Sequence, residues 1–184
     1  MSKQIFNKIN TLLSRNDAKF KVIDHEPANT SEAVAKARGT IMGQGAKALV
    51  CVIKGIDPKI LTANENEKPN QTSPNSPLKS SKHYVLAVLP ADYKANLEAI
   101  TREFDGTKTS LASPAEVSEL TDCVIGSVPP FSFHDRLELI VDSKLFERFE
   151  EIAFNAGLLD RSIVLNAKDY ERITKPRIVN FATI

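Results

Sequence analysis

The stretch "GQGAKALVCVIK" (residues 43–54) decides the fold. It opens with two glycines, sets Lys47 at the margin of an apolar run, and continues from Ala48 to Ile53 without a polar side chain. A short continuous apolar run closed by lysines has the character of a β-strand buried on both faces. Strand alternation puts Lys47, Leu49, Cys51 and Ile53 on one face and Lys54 on the other. An ammonium is costly to bury alone, so Lys47 either reaches water or is kept for a charged partner.

Working outward, "HYVLAVLP" (83–90) is a second run of β-formers able to pair with the first. Between them lies "TANENEKPNQTSPNSPLKSSK" (62–82), polar and broken by Pro69, Pro74 and Pro77. It reads as a mobile hairpin extension. A linker between domains is the competing reading, but neither flank is large enough for a complete core.

Upstream, Ile5, Ile9, Leu12 and Leu13 recur at helical spacing, with Asn16 or Asp17 as the end. "KFKVIDHEP" (19–27) reads as a short strand with Phe20 and Val22 on one side, leaving His25 and Glu26 at its exit. "ANTSEAVAKARG" (28–39) then carries the marks of a capped helix: Asn29 or Thr30 at the start, Glu32 in the first turn, Gly39 as the stop. Downstream, "DYKANLEAITREF" and "SPAEVSELTD" read as helices, the second with Ser113 as cap and Pro114 at its first position. The remainder, "CVIGSVPPF", "LELIVDS", "FEEIAFNAG", "SIVLN" and "RIVNF", consists of short β-rich runs, with a helix at "AKDYERI". The pattern is α/β, a mixed β-sheet core with surrounding helices.

A chain of 184 residues, 42% hydrophobic and 26% charged, fits one soluble domain over residues 1–184 and excludes a disordered or collagen-like chain. No apolar run approaches the ~20 residues of a membrane span, and "MSKQIFNKIN" lacks the apolar core of a secretory signal. No membrane partner and a cytoplasmic location are therefore expected. A net charge of +1 supplies no global field, so any polyanion must be bound by a local patch or pocket.

"GQGAK" is no P-loop: Ala46 separates Gly45 from Lys47, and a strand rather than a helix follows. Cys51 and Cys123 sit in apolar runs without neighbouring charge and read as buried structural thiols. The three histidines, His25, His83 and His134, lack metal-ligand spacing, and no metal or cofactor is expected. His25 beside Glu26 is the most interesting of them, with an ordinary hydrogen-bonding role as the plain alternative. In "GSVPPF" (126–131) a glycine precedes paired prolines, a stiff loop whose backbone polar groups can become fixed contacts, or a plain turn.

Taken together, "HEPANTSEAVA", "GQGAKALVCVIK", "GSVPPF" and "FNAG" resemble, in order and spacing, the YbaK-like family. That family holds free-standing aminoacyl-tRNA deacylases and the editing domain of bacterial prolyl-tRNA synthetases, and the resemblance runs from about Phe20 to Tyr170. It implies that fold and the metal-free hydrolysis of the ester between a wrong amino acid and the terminal adenosine of tRNA, without a covalent intermediate. On this resemblance Lys47 matches the functional lysine and Gly126 opens the catalytic Gly-x-x-x-Pro loop. Substrate would be bound by His25, Thr30, Ser127, Pro130, Phe131, Asn155 and Gly157. The expected partners are the 3′ acceptor end of aminoacyl-tRNA and an aminoacyl-tRNA synthetase.

The chain departs from several relatives after "NAG", where Leu158, Leu159 and Asp160 stand in place of a histidine, which bears on amino-acid preference. Water oriented by the pocket and by the substrate's own ribose hydroxyl would attack, so no Ser/His/Asp triad is required. Two alternatives stay open at this stage: a binding module of the same fold that holds a tRNA end without cleaving it, and a hydrolase or binder of a small aminoacyl or nucleotide-like ligand.

Overall fold

The computed structural model describes residues 2–28, 30–56 and 82–184. The proposed extension at 62–82, apart from Lys82, and the alternative cap Asn29 lie outside the described residues.

The stretch that opened the reading is strand β2 (Ala46–Lys54), and β3 (His83–Pro90) pairs with it antiparallel, Lys47 facing Leu89 and Ile53 facing His83. β5 (Lys108–Leu111) closes the other edge of β2, again antiparallel. Beyond β3 the sheet turns parallel through β6 (Leu137–Val141) and β9 (Arg177–Ile178), giving the order β5-β2-β3-β6-β9. A second, antiparallel sheet places β8 (Arg161–Asn166) between β1 (Phe20–Asp24) and β7 (Glu151–Asn155). A short ribbon joins β4 (Lys94–Ala95) to β10 (Ala182–Thr183).

β2 is buried on both sides, as its composition requires. Ala46 and Val50 pack into a core shared with Ile9 and Leu13 of α1 (Ser2–Arg15), Phe154 of β7 and Ile163 of β8. Cys51 and Ile53 pack oppositely against Ile100 of α3 (Leu97–Glu103), Phe104 and Phe181. Each fully buried aliphatic side chain stabilises the fold by ~1.5–3 kcal/mol relative to exposure. The sheet is therefore a central layer, with the smaller sheet on one face and α3 plus the C-terminal segment on the other.

Local chemistry sets the helix ends. Thr30 caps α2 (Ser31–Arg38) by accepting from the Ala33 N–H at 3.2 Å, and Gly39 ends it in the left-handed region. Ser113 and Glu116 form a reciprocal capping box at the start of α4 (Pro114–Thr121). The last helix, α5 (Ala167–Thr174), follows β8 directly and buries Tyr170.

Two expectations need correction. Val22, read on the same side of β1 as Phe20, is 41% exposed, while Phe20 packs against the core, so cover of that side ends at Phe20. The run "CVIGSVPPF" holds no strand: its second half is the loop that Gly126 and the paired prolines also allowed, since Pro129 and Pro130 have no N–H for a ladder and Gly126 adopts φ +89°.

Candidate active site

A cavity of about 260 Å³ opens between α2, the first half of β2, the 125–128 loop and the end of β7. Lys47, Thr30, Gly126 and Asn155 all line it, so four of the sequence-derived residues converge from four separate segments. Its mouth is apolar, with Leu111 and Ile125 largely exposed.

Lys47 stands where it does because the chain before it packs closely. A Cβ on Gly45 would lie 2.8 Å from the Ala91 Cβ and 3.0 Å from the Met42 carbonyl, and the Gly45 carbonyl accepts from the Ala91 N–H at 2.8 Å. This brings the 91–93 turn beside the start of β2, and Lys47 Nζ donates to the Tyr93 carbonyl at 2.5 Å. Burial lowers the Lys47 pKa, and the Asp92 carboxylate opposes that shift. Asp92 is itself held by both terminal nitrogens of Arg148, at 2.8 and 2.7 Å, whose hydrogen bonding keeps it below the ordinary carboxylate range. The half-buried ammonium is thus fixed by a carbonyl while the nearest acid is engaged elsewhere.

The loop is held at both ends. The Asn155 amide donates to the Gly126 carbonyl at 2.7 Å, and the Gly157 N–H donates to the Ser127 carbonyl at 3.0 Å. Ser127 is buried, its hydroxyl donating to the Val124 carbonyl at 3.0 Å. At the far end the Tyr170 hydroxyl donates to the Pro130 carbonyl at 2.7 Å, and Phe131 packs among Phe133, Phe154 and Tyr170. Ser127, Pro130, Phe131 and Gly157 therefore lie behind the cavity wall and hold the loop.

His25 also stands outside the wall. Its Nε2 is 2.7 Å from the Ser162 hydroxyl and its Nδ1 is 2.8 Å from the Glu26 carbonyl, while the Ser162 hydroxyl is 3.1 Å from Asn155 Oδ1. A chain of polar contacts thus runs His25, Ser162, Asn155, Gly126. Ser162 has one proton to offer, so it donates either to Asn155 or to the imidazole.

Burial pushes both thiols up, Cys51 to about 12, which leaves them unreactive. Among the described residues no group of three or more His, Cys, Asp or Glu could hold a metal ion. Nor is any described helix long and apolar enough to cross a membrane.

Sequence reasoning missed two contributors. Tyr93 acts through its backbone carbonyl, which no side-chain pattern reveals. Arg38 reads as an ordinary basic residue in the last turn of a helix, yet it lines the cavity.

These features define an aminoacyl-tRNA editing fold: the family model for the aminoacyl-tRNA editing domain matches residues 25–173, and the chain belongs to that family. It is 49% identical over 170 residues, spanning 92% of this chain and 88% of the relative, to the multifunctional Ser/Thr-tRNA deacylase ProXp-y of Escherichia coli. Among solved structures it resembles a candidate trans-editing enzyme for prolyl-tRNA synthetase, with TM-score 0.71 and 22% identity over 98% of both chains. A hypothetical protein matches with TM-score 0.72 and 16% identity, covering 96% of this chain and 99% of the other. The last two establish likeness of fold.

Proposed function

We infer that this chain is a metal-independent deacylase that hydrolyses the ester of mischarged aminoacyl-tRNA in trans, as translation quality control. The observation that carries this reading is the convergence of Lys47 and Gly126 on one cavity in a chain of the editing family. The half-buried ammonium of Lys47 positions the acceptor end through its phosphate, since one N–H already bonds Tyr93 and two others are available. The Gly126 loop, fixed by Asn155 and Tyr170, presents backbone groups to the ester carbonyl as it becomes tetrahedral.

Water attacks the carbonyl carbon, the bond to the ribose oxygen breaks, and that oxygen takes up a proton. Free amino acid and uncharged tRNA leave. The vicinal ribose hydroxyl of the substrate orients the water, consistent with a cavity wall that holds no histidine or carboxylate among the described residues.

The closeness to a Ser/Thr-tRNA deacylase supports seryl and threonyl esters as preferred substrates. The reading places the protein in the cytoplasm, where an aminoacyl-tRNA synthetase would be the partner that releases charged tRNA to it. The test is release of amino acid from a panel of seryl-, threonyl-, alanyl-, cysteinyl- and prolyl-tRNA. Turnover of the first two is expected. No release from any member, beside a working editor as control, would overturn the assignment.

A further inference from the structure

The contacts that run from His25 to Gly126 have a direction, and a carbonyl fixes it at each end. The Gly126 carbonyl can only accept, so Asn155 turns its Nδ2 amide to the loop and its Oδ1 to the Ser162 hydroxyl, 3.1 Å away. The Glu26 carbonyl also can only accept, so it calls for a hydrogen on His25 Nδ1, 2.8 Å from it. Ser162 stands between the two ends with one proton to give. It is fully buried, so water cannot supply another.

Neither neutral tautomer of His25 satisfies the whole chain. With the proton on Nδ1, the bare Nε2 takes the Ser162 hydrogen at 2.7 Å, and Asn155 Oδ1 is left facing an oxygen lone pair. Turning the Asn155 amide over relieves that clash, but it takes the donor away from Gly126. With the proton on Nε2, Ser162 is free to donate to Asn155, but Nδ1 turns a lone pair towards the Glu26 carbonyl. Only the imidazolium donates at both nitrogens, and every contact from the Glu26 carbonyl to the Gly126 carbonyl is then a hydrogen bond.

We propose that His25 and Ser162 are positioning residues for the Gly126 loop: protonated His25 commits the Ser162 hydrogen to Asn155, which keeps the Asn155 amide on the Gly126 carbonyl. The consequence for turnover rests on the deacylase reading. The charged residues adjoining the imidazole are Asp24 and Glu26 on its own segment and Asp160 and Arg161 on the facing one. Arg161 pairs with Asp24, and the Asp160 carbonyl accepts the His25 N–H at 2.9 Å. Both ring nitrogens are engaged by the Glu26 carbonyl and Ser162, so these charges act on the ring through space.

An imidazole is the side chain that ordinarily changes charge between about pH 5 and 8, which sets the window of the test. Single-turnover deacylation of a seryl-ended RNA helix is measured for wild type and Ser162→Ala, and the two rates are divided so that shared pH effects cancel. The ratio is expected to be roughly 5- to 20-fold at the acid end and to fall towards about 1 at the alkaline end, with the loss in kcat rather than KM. A ratio flat with pH, or one that grows as pH rises, would overturn the proposal. Should Ser162→Ala fail to fold, NMR of the wild-type protein decides. The Asn155 side-chain amide resonances should shift through the same midpoint as the His25 ring, and an amide indifferent to that titration refutes the coupling. The NMR measurement needs no turnover, so failure of this proposal is distinguishable from failure of the deacylase reading.

Discussion

The Asn155 side-chain amide reaches the Gly126 carbonyl at 2.7 Å, tying the end of β7 to a loop 29 residues earlier in the chain. The loop's orientation thus depends on a hydrogen-bond donor that also lines the cavity. Asn155→Asp keeps the shape but replaces that donor with an acceptor facing a carbonyl. We expect kcat to fall by roughly 10- to 100-fold with little change in KM, and Asn155→Ala to fall less. Single-turnover deacylation of a seryl RNA measures both, and an unchanged kcat would dismiss Asn155 as a loop tether.

Lys47 should set an alkaline limit on binding. Its pKa is lowered by burial from the ordinary 10.5, so its positive charge disappears as pH rises through a value below that. Affinity for a non-hydrolysable amide-linked analogue should therefore decline at high pH, starting earlier than an exposed lysine would allow. Asp92 favours the charged form, so Asp92→Asn should move the decline to lower pH. A shift in the opposite direction in fluorescence titrations would contradict this account.

Tyr170→Phe removes the donor to the buried Pro130 carbonyl without opening a cavity. A stability loss of about 1–3 kcal/mol in denaturant melts is expected, together with reduced turnover as the proline end of the loop loosens. Full stability combined with full activity would show that Phe131 packing alone holds the loop.

Gly45→Ala inserts a methyl group 2.8 Å from the Ala91 Cβ, where backbone and a short side chain leave little room to yield. Separation of the 91–93 turn from β2 should cost about 1–3 kcal/mol and weaken the Lys47–Tyr93 contact. Comparison of this variant's loss of activity with that of Lys47→Ala tests the link. A stable variant with normal turnover would break it.

Glu116 should contribute to acid tolerance. The Ser113 N–H, the Tyr84 hydroxyl and the Lys82 ammonium together lower its pKa from 4.5 to about 2. A depressed carboxylate stabilises the fold above its unfolded value, and that contribution is lost as pH falls from about 4.5 towards 2. Glu116→Gln should reduce stability at neutral pH and flatten the acid limb of a pH melt over that window. An acid limb as steep as the wild type's would assign the transition to other groups.

The parts of this architecture legible in the sequence are those set by local chemistry. Thr30 and Ser113 are caps because a short side-chain oxygen satisfies the first free N–H groups, and β2 is central because only a strand covered on both faces reads as "ALVCVI". Pairing of β2 with β3 followed from two apolar runs of similar length. The parallel placement of β6 beside β3, and of β8 between β1 and β7, joins distant segments, and no local pattern encodes it. Val22 misled because alternation does not reveal that cover of its side of β1 ends at Phe20. Within the site, Lys47, Thr30, Gly126 and Asn155 were legible as motifs. Arg38 was not, because a basic residue in the last turn of a helix carries no local mark of lining a cavity.

The strand that carries Lys47 is bonded to β3 from Ala46 to Ile53 and to β5 over Cys51–Lys54, and its second half is covered above and below. Its amides should exchange with deuterium only when the whole molecule opens. Binding competence and global folding would then vanish together on heating, leaving no folded but inactive population, and thermal inactivation would report the same midpoint as loss of secondary structure.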